Sequence, residues 1–266
     1  MYNELLSSSK PGLIIICIDQ SGSMADSYTS GNKAEFAAIA VNRVIAEIIT
    51  ACTSQETIKD RCHIAVIGYG SSTSVLFLNK VSELAQNQNT VSLKKKVPDG
   101  AGGLVEVDDI MRVFVNPVAS GGTPMAEALR EAYNGAEKFI GGNPDSFPPI
   151  VINITDGEPN DMNSAKVEAQ KLTQLKTSDG NLILMNAHIS NSSAGKIELP
   201  NSKSGIQGNS YAEFLYDIST VLPDKLAEKA KDAGFNVQTG ARGFVFNADA
   251  ETLIKLLNFG TVGNLR

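Results

Sequence analysis

Short runs of apolar, mostly β-branched residues recur along this chain, and they constrain its fold more than any other feature. Gly12–Ile18 reads GLIIICI, an unbroken pattern typical of a strand that is buried on both faces of a parallel sheet. We predict further buried strands at His63–Tyr69, Pro149–Thr155, Asn181–Ile189 and Gly243–Asn247. A sheet made of such strands must be covered on both sides.

Amphipathic stretches separate the predicted strands. In Asn32–Thr53 the side chains of Val41, Val44, Ile45 and Ile48 fall on one stripe of a helix, while charged residues fall off it. Further helices are predicted at Thr123–Phe139, Ser164–Lys176, Tyr211–Tyr216, Pro223–Ala233 and Ala250–Gly260. Strands that alternate with helices predict an α/β fold with a mostly parallel central sheet and helices on both faces.

One predicted strand breaks the parallel pattern. Ser74–Leu78 follows His63–Tyr69 after only four residues, and so short a link permits only an antiparallel pair at a sheet edge. Between residues 79 and 120 the pattern weakens: VSELAQ indicates a helical turn, PDGAGG a loop, and VDDIMRVFV a short helix or a strand. The basic run Lys94–Lys96 is expected in a solvated loop. Asn191–Asn209 is expected to be a loop on the carboxyl-end rim of the sheet.

Length, charge and cysteine content limit the class of protein. The 266 residues suffice for one large α/β domain, and no linker or repeat divides them. We therefore predict an N-terminal extension, residues 1–10, and a single domain, residues 11–266. A formal net charge of −6 argues against nucleic acid or an anionic membrane as the main partner. Cys17, Cys52 and Cys62 are expected to be free, buried thiols, and without a signal-peptide or membrane-spanning pattern the expected location is cytoplasmic.

Three segments place oxygen-bearing side chains where loops leave the predicted sheet. Asp19, Ser21 and Ser23 follow the first strand, Thr123 precedes a helix, and Asp156 follows a later strand. Ligands of open α/β sheets collect at the carboxyl ends of the strands. Two carboxylates and three hydroxyls form an oxygen-only set of the kind that Mg²⁺ prefers, and the pattern disfavours zinc because no His or Cys cluster accompanies it. These five residues are candidate ligands of a divalent cation.

Each segment also has a local explanation that needs no metal. DQSGS is compatible with a turn whose hydroxyls cap its own backbone. Thr123 is compatible with a helix N-cap followed by proline, and Asp156 with a common Asp-Gly turn. Nearby polar residues are expected in structural roles: Glu158 in a turn, Asp161 in a helix cap, and His188 at a packed or solvated strand position rather than on the rim of the site.

The segments IDQSGSM, SGGTPM and ITDGEPND resemble the signature of von Willebrand factor A (VWA) domains. The metal-ion-dependent adhesion site (MIDAS) of that family has the form D-x-S-x-S, then Thr, then Asp. The resemblance covers roughly Pro11 to Phe259 and is strongest to compact intracellular bacterial members. It implies a Rossmann-like, doubly wound sheet with one antiparallel edge strand. It also implies Mg²⁺ or Mn²⁺ with these ligands: Asp19, Ser21, Ser23, Thr123 and Asp156.

The resemblance implies binding rather than catalysis. In such domains a Glu or Asp of a partner protein completes the coordination of the metal, so the chain would be a non-enzymatic subunit of an intracellular bacterial assembly. The alternative is a Mg²⁺-dependent phosphatase or phosphotransferase on a similar sheet. Haloacid-dehalogenase-type enzymes need a second Asp two residues after the first, where this chain has Ser21, and the phosphate-binding pattern GxxxxGK[ST] is absent. A structural subunit without metal is the third possibility.

Overall fold

A computed structural model describes residues 1–29, 31–98, 103–190 and 195–261 of the chain. Its strands are β1 (Gly12–Asp19), β2 (Cys62–Tyr69), β3 (Thr73–Lys80), β4 (Thr90–Pro98), β5 (Leu104–Arg112), β6 (Ile150–Thr155), β7 (Ile183–His188), β8 (Ile197–Glu198) and β9 (Phe244–Phe246). Its helices are α1 (Lys33–Ala51), α2 (Val81–Leu84), α3 (Met125–Gly142), α4 (Met162–Gln174), α5 (Ser210–Ile218), α6 (Asp224–Asp232) and α7 (Ala250–Thr261). Two-residue strand pairs also close turns: Ser27–Tyr28 with Gly31–Asn32, Thr53–Ser54 with Thr57–Ile58, and Lys176–Thr177 with Gly180–Asn181.

The central sheet has seven strands in the order β8-β9-β7-β6-β1-β2-β3. The five inner strands are parallel, and β3 pairs antiparallel with β2 at one edge, which confirms the predicted fold class. At the opposite edge β8 is also antiparallel. The chain passes from β1 to β2 on one side and later inserts β6 on the other side of β1. The sheet therefore has a switch point between β1 and β6, where such folds place their ligands.

The unbroken apolar character of β1 follows from burial on both faces. Ile14 and Ile16 pack with α1 and α7 on one face, whereas Leu13 and Ile15 pack with α3 and α4 on the other. Successive side chains of a strand point to opposite faces, so a strand covered twice needs apolar residues at every position. This packing holds the carboxyl end of β1 in a fixed position.

Helix α1 begins with a complete capping box. The side chain of Asn32 accepts from the backbone N–H of Glu35, and the Glu35 carboxylate accepts from the backbone N–H of Asn32. Further along, buried Asn42 bonds to the backbone of Phe114 and Val115 through three hydrogen bonds of 2.8–2.9 Å. Asn42 thereby fixes the segment that leads back from the 79–120 region to the site.

The 79–120 region contains a long antiparallel hairpin that the sequence did not resolve. VSELAQ does begin a short helix, α2, and VDDIMRVFV lies largely in a strand, β5. The prediction of a solvated loop at Lys94–Lys96 was wrong, because this run belongs to β4, opposite residues 106–108 of β5. Of the predicted loop at 98–103, residues 99–102 lie outside the described residues. The hairpin packs on α1 only near its base, so it lacks the two-sided burial that marks the other strands.

The predicted loop Asn191–Asn209 is only partly a loop. Residues 191–194 lie outside the described residues. Ile197 and Glu198 form β8, and Pro200 then accepts a hydrogen bond from the N–H of Arg242, before the start of β9. This part of the segment therefore runs along the sheet edge, away from the carboxyl ends of the parallel strands. Its backbone pairs with the edge of β9 that would otherwise be open.

Asn3 and Glu4, in the expected N-terminal extension, donate backbone hydrogen bonds to the Asp179 carboxylate, both at 3.0 Å. The three cysteines are free and buried, as predicted. None of the helices within the described residues has the length and apolar character that a membrane crossing requires.

Candidate metal centre

The first site segment starts at the carboxyl end of β1. Asp19 is the last residue of that strand and is fully buried. One carboxylate oxygen, Oδ1, accepts from the backbone N–H of Ser21 at 2.8 Å, and Oδ2 accepts from the Thr155 hydroxyl at 2.6 Å. Burial raises the pKa of the Asp19 carboxyl above its ordinary value, although hydrogen bonds from Ser21 and Thr155 oppose this shift.

Hydrogen bonds link the first segment to the third. The hydroxyl oxygens of Ser21 and Ser23 lie 3.1 Å apart, and the Ser23 hydroxyl donates to Oδ1 of Asp156 at 2.8 Å. A hydroxyl that donates a hydrogen bond to a carboxylate still has its oxygen lone pairs available to coordinate a cation. The structure thus brings together four of the five predicted residues: Asp19, Ser21, Ser23 and Asp156.

Lys33 also enters the site, which the sequence analysis missed. Its Nζ atom lies 2.7 Å from Oδ2 of Asp156 and 3.0 Å from Oδ2 of Asp26. The side chains of Lys33 and Asp156 are only 8% and 1% exposed. Burial alone lowers the pKa of Lys33, but the hydrogen bonds to Asp156 and Asp26 outweigh it, and the pKa lies above its ordinary value. A signal existed, because a lysine in the first turn of a helix opposes the helix dipole and needs an acidic partner.

The backbone of Thr123 is held by Asn160 rather than by another of the predicted ligands. Its N–H donates to the Asn160 side chain at 2.8 Å, and its carbonyl accepts from the Asn160 N–H at 3.0 Å. Thr123 is therefore not the N-cap of α3, which begins at Met125, two residues later than predicted. The carbonyl of Gly121 accepts a 2.9 Å hydrogen bond from Gly22, so the second segment lies directly against the first.

The loops around the site are packed backbone against backbone. Ser120 donates its N–H to the Gln20 carbonyl at 2.7 Å. A Cβ atom at Gly70 would come within 2.5 Å of the Gln20 carbonyl oxygen, and one at Gly121, which has φ +81°, would come equally close to Ser71. Only glycine fits such close approaches. We call these contacting loop residues, 20–22, 70–71 and 120–122, the glycine rim.

The other polar groups near the site have structural partners. Glu158 forms a hydrogen bond that raises the pKa of the Tyr211 hydroxyl, and Asp161 caps α4 as predicted, accepting from two backbone N–H groups. His188 is packed rather than solvated: it is 4% exposed and its ring stacks on Phe246 at 5.0 Å. Burial lowers the pKa of His188 to about 4, while attraction to the Asp156 carboxylate opposes this.

A buried polar chain runs across the sheet beneath the site. The Tyr69 hydroxyl donates to the Asn153 side chain at 2.7 Å, Asn153 donates to Asn186 at 3.0 Å, and Asn186 donates to Ser219 at 2.9 Å. Asn153 and Asn186 are direct register partners on β6 and β7. The sequence signal was an asparagine inside each of two otherwise apolar strands.

The donor set fits a hard divalent cation. Within the described residues no three His, Cys, Asp or Glu side chains cluster in a way that could hold a metal, so a metal here would depend on the serine and threonine hydroxyls. Carboxylate and hydroxyl oxygens suit Mg²⁺ and Mn²⁺. The hydroxyl of Ser23 is already oriented by Asp156, and Ser21 by Asp19.

Comparison with known proteins identifies structural relatives only. No family model matches the chain, and no curated protein matches it. Among solved structures, the pilus adhesin SpaC from Lactobacillus rhamnosus GG aligns with 98% of this chain at 13% identity and a TM-score of 0.58. The chain spans 31% of SpaC.

Two further structures are more distant. Manganese-loaded TRAP protein of Plasmodium vivax aligns with 83% of this chain and 68% of its own, at 16% identity and a TM-score of 0.40. The ArnB paralog VWA2 from Sulfolobus acidocaldarius aligns with 69% of this chain and 36% of its own, at 16% identity and a TM-score of 0.36. With its mostly parallel sheet, antiparallel edge strand β3 and three signature segments at one end of that sheet, the protein has the von Willebrand factor A fold.

Proposed function

We propose that the protein is a metal-dependent protein-binding module. Asp19, Ser21, Ser23, Thr123 and Asp156 hold a divalent cation, Mg²⁺ or Mn²⁺, and a Glu or Asp of a partner protein completes its coordination. The observation that carries this proposal is the hydrogen-bonded chain from Thr155 through Asp19 and the two serines to Asp156. That chain turns oxygen atoms from separate segments toward one place.

A bound cation supplies an electrophilic centre for an anionic ligand. The residues of the chain hold and orient that centre: Thr155 fixes the rotamer of Asp19, and Asp156 fixes the hydroxyl of Ser23. The glycine rim holds the loops together.

The acidic and imidazole side chains near the site are engaged in other contacts, which supports a binding role over hydrolysis. A metal-assisted hydrolase needs a general base close to the cation. Glu158 is hydrogen-bonded to Tyr211, Asp161 caps a helix, and His188 is stacked and buried. Each of the candidates that the sequence offered as a base is thus engaged elsewhere. We also propose that the chain acts in the bacterial cytoplasm, where its three free thiols stay reduced.

The metal is tested by calorimetric titration of Mn²⁺ into metal-stripped protein. Asp19→Ala and Thr123→Ala should each weaken binding by at least ~100-fold, about 2.7 kcal/mol, while far-UV circular dichroism and cooperative unfolding persist. Asp108→Ala is the matched control, since Asp108 is an exposed aspartate paired with Lys94 on the hairpin. Equal affinity in wild type and Asp19→Ala would refute the proposal.

The partner chemistry is tested on the same proteins with an array of Glu-containing peptides and their Gln counterparts. Binding should require Mg²⁺ or Mn²⁺, disappear in EDTA and fail for every Gln peptide. Turnover of generic phosphate esters with Mg²⁺, lost in Asp19→Ala, would instead favour the phosphatase alternative.

A further inference from the structure

An ammonium group lies against one of the carboxylates of the metal site. Lys33 comes from the first turn of α1, and its Nζ atom is 2.7 Å from Asp156. Its second partner, Asp26, is 63% exposed, so water screens that contact far more than the one with Asp156. Of its two ion pairs, the one inside the site is therefore the stronger.

The position of Lys33 is unfavourable unless acidic groups compensate it. The amino end of a helix carries partial positive charge and repels a cation, and burial of a charge needs a partner. The two carboxylates among the proposed ligands, Asp19 and Asp156, contribute a formal charge of −2 and Lys33 contributes +1, which leaves −1. Without Lys33 the same groups would present −2 to a divalent ion.

We propose that Lys33 is a built-in cation that competes with the divalent metal for Asp156 and thereby sets the metal affinity of the site. This inference rests on the proposed function. The ammonium binds the Oδ2 atom of Asp156 while Ser23 binds Oδ1, so both oxygens of that carboxylate already share their charge. A cation bound beside Lys33 is held less tightly, and the two positive groups together attract the carboxylate of a partner more strongly.

The test replaces Lys33 by methionine, which keeps the length of the side chain and removes its charge. In calorimetric titration with Mn²⁺ alone, Lys33→Met should bind at least about tenfold more tightly than wild type. Lys94→Met is the matched control because Lys94 also pairs with an aspartate at 2.7 Å, outside the site; its Mn²⁺ affinity should equal that of wild type. Lys33→Gln, which retains an N–H donor without charge, should also bind more tightly.

The outcomes separate this inference from the proposed function. Mn²⁺ binding that depends on Asp19 but is unchanged or weaker in Lys33→Met overturns only the role of Lys33. If neither wild type nor any Lys33 variant binds Mn²⁺, both proposals fail. A Lys33 variant that folds only when Mn²⁺ is present supports the inference, because the metal then replaces the ammonium. A variant that remains unfolded with Mn²⁺ contradicts it.

Discussion

At the scale of single residues, His188 shows how burial near the site changes protonation. Its ring is stacked on Phe246, and its Nδ1 atom has no hydrogen-bond partner within the described part of the chain. The positive charge of Lys33 adds to the effect of burial, and the Asp156 carboxylate opposes both. In the folded protein the imidazole of His188 is therefore neutral at neutral pH.

Protonation of His188 should destabilise the fold in acid. The unfolded chain takes up this proton near pH 6.5 and the folded chain only near pH 4, so between these values the unfolded state binds more protons. The contribution of His188 is complete above pH 6.5 and is lost as pH falls toward 4, up to about 3 kcal/mol. Urea unfolding in EDTA should show this loss in wild type relative to His188→Phe. Parallel pH profiles of the two proteins would contradict it.

The site residues differ in how far the sequence predicts them. Asp19, Ser21, Ser23 and Asp156 could be predicted to lie together, because parallel strands bring their carboxyl ends to one edge. Lys33 could not, since its partner Asp156 is 123 residues away and the pair depends on how α1 packs on the sheet.

At the scale of elements, the β4–β5 hairpin is an addition to the sheet rather than part of it. Its base is closed by a 2.9 Å hydrogen bond from Val113 to the carbonyl of Asn89. Arg43 of α1 pairs with Asp109 at 2.6 Å, and Met111 is buried. Side chains farther out, such as Val105, remain exposed. The hairpin was hard to predict because only its base contributes to a core.

Replacing residues 90–112 by a short glycine linker should leave the fold and the Mn²⁺ affinity intact. The loss is the burial of Met111 and a partly exposed ion pair, about 2–3 kcal/mol in total. Asn42→Ala keeps the hairpin but leaves backbone groups of Phe114 and Val115 without their hydrogen-bond partner. This variant should lower the free energy of unfolding by about the same amount or more. Urea denaturation and Mn²⁺ calorimetry measure both. A shortened chain that no longer unfolds cooperatively, or that loses Mn²⁺ binding, would contradict the expectation.

At the scale of the whole molecule, the buried polar chain links three central strands to the end of α5. Tyr69, Asn153, Asn186 and Ser219 are all buried, and each satisfies the next. Such a network stabilises only when it is complete, because each unpaired group in the interior costs free energy. The alternation of strands and helices predicts the sheet, but not a polar chain that crosses it.

Asn153→Leu should therefore destabilise the protein by about 3 kcal/mol, since it removes the acceptor 2.7 Å from the Tyr69 hydroxyl and the donor to the side-chain oxygen of Asn186. Ser219→Ala, at the end of the buried polar chain, should lower the free energy of unfolding by only about 1 kcal/mol. The triple variant Tyr69→Phe, Asn153→Leu, Asn186→Leu should be less destabilised than the sum of its single changes. Urea denaturation measures all of these changes in stability. If the single changes add strictly, the buried polar chain does not act as a unit.

The glycine rim has a consequence for protein engineering. At Gly70 and Gly121 any side chain would collide with the backbone of a neighbouring loop, so these positions cannot be varied to recruit a new ligand. Libraries that aim to change binding specificity should instead vary residues outside the rim, such as the exposed Glu158 and the half-buried Tyr211, whose side chains meet beside the third site segment. The inner ring of loops then serves as a constant frame, and recognition can be redesigned around it.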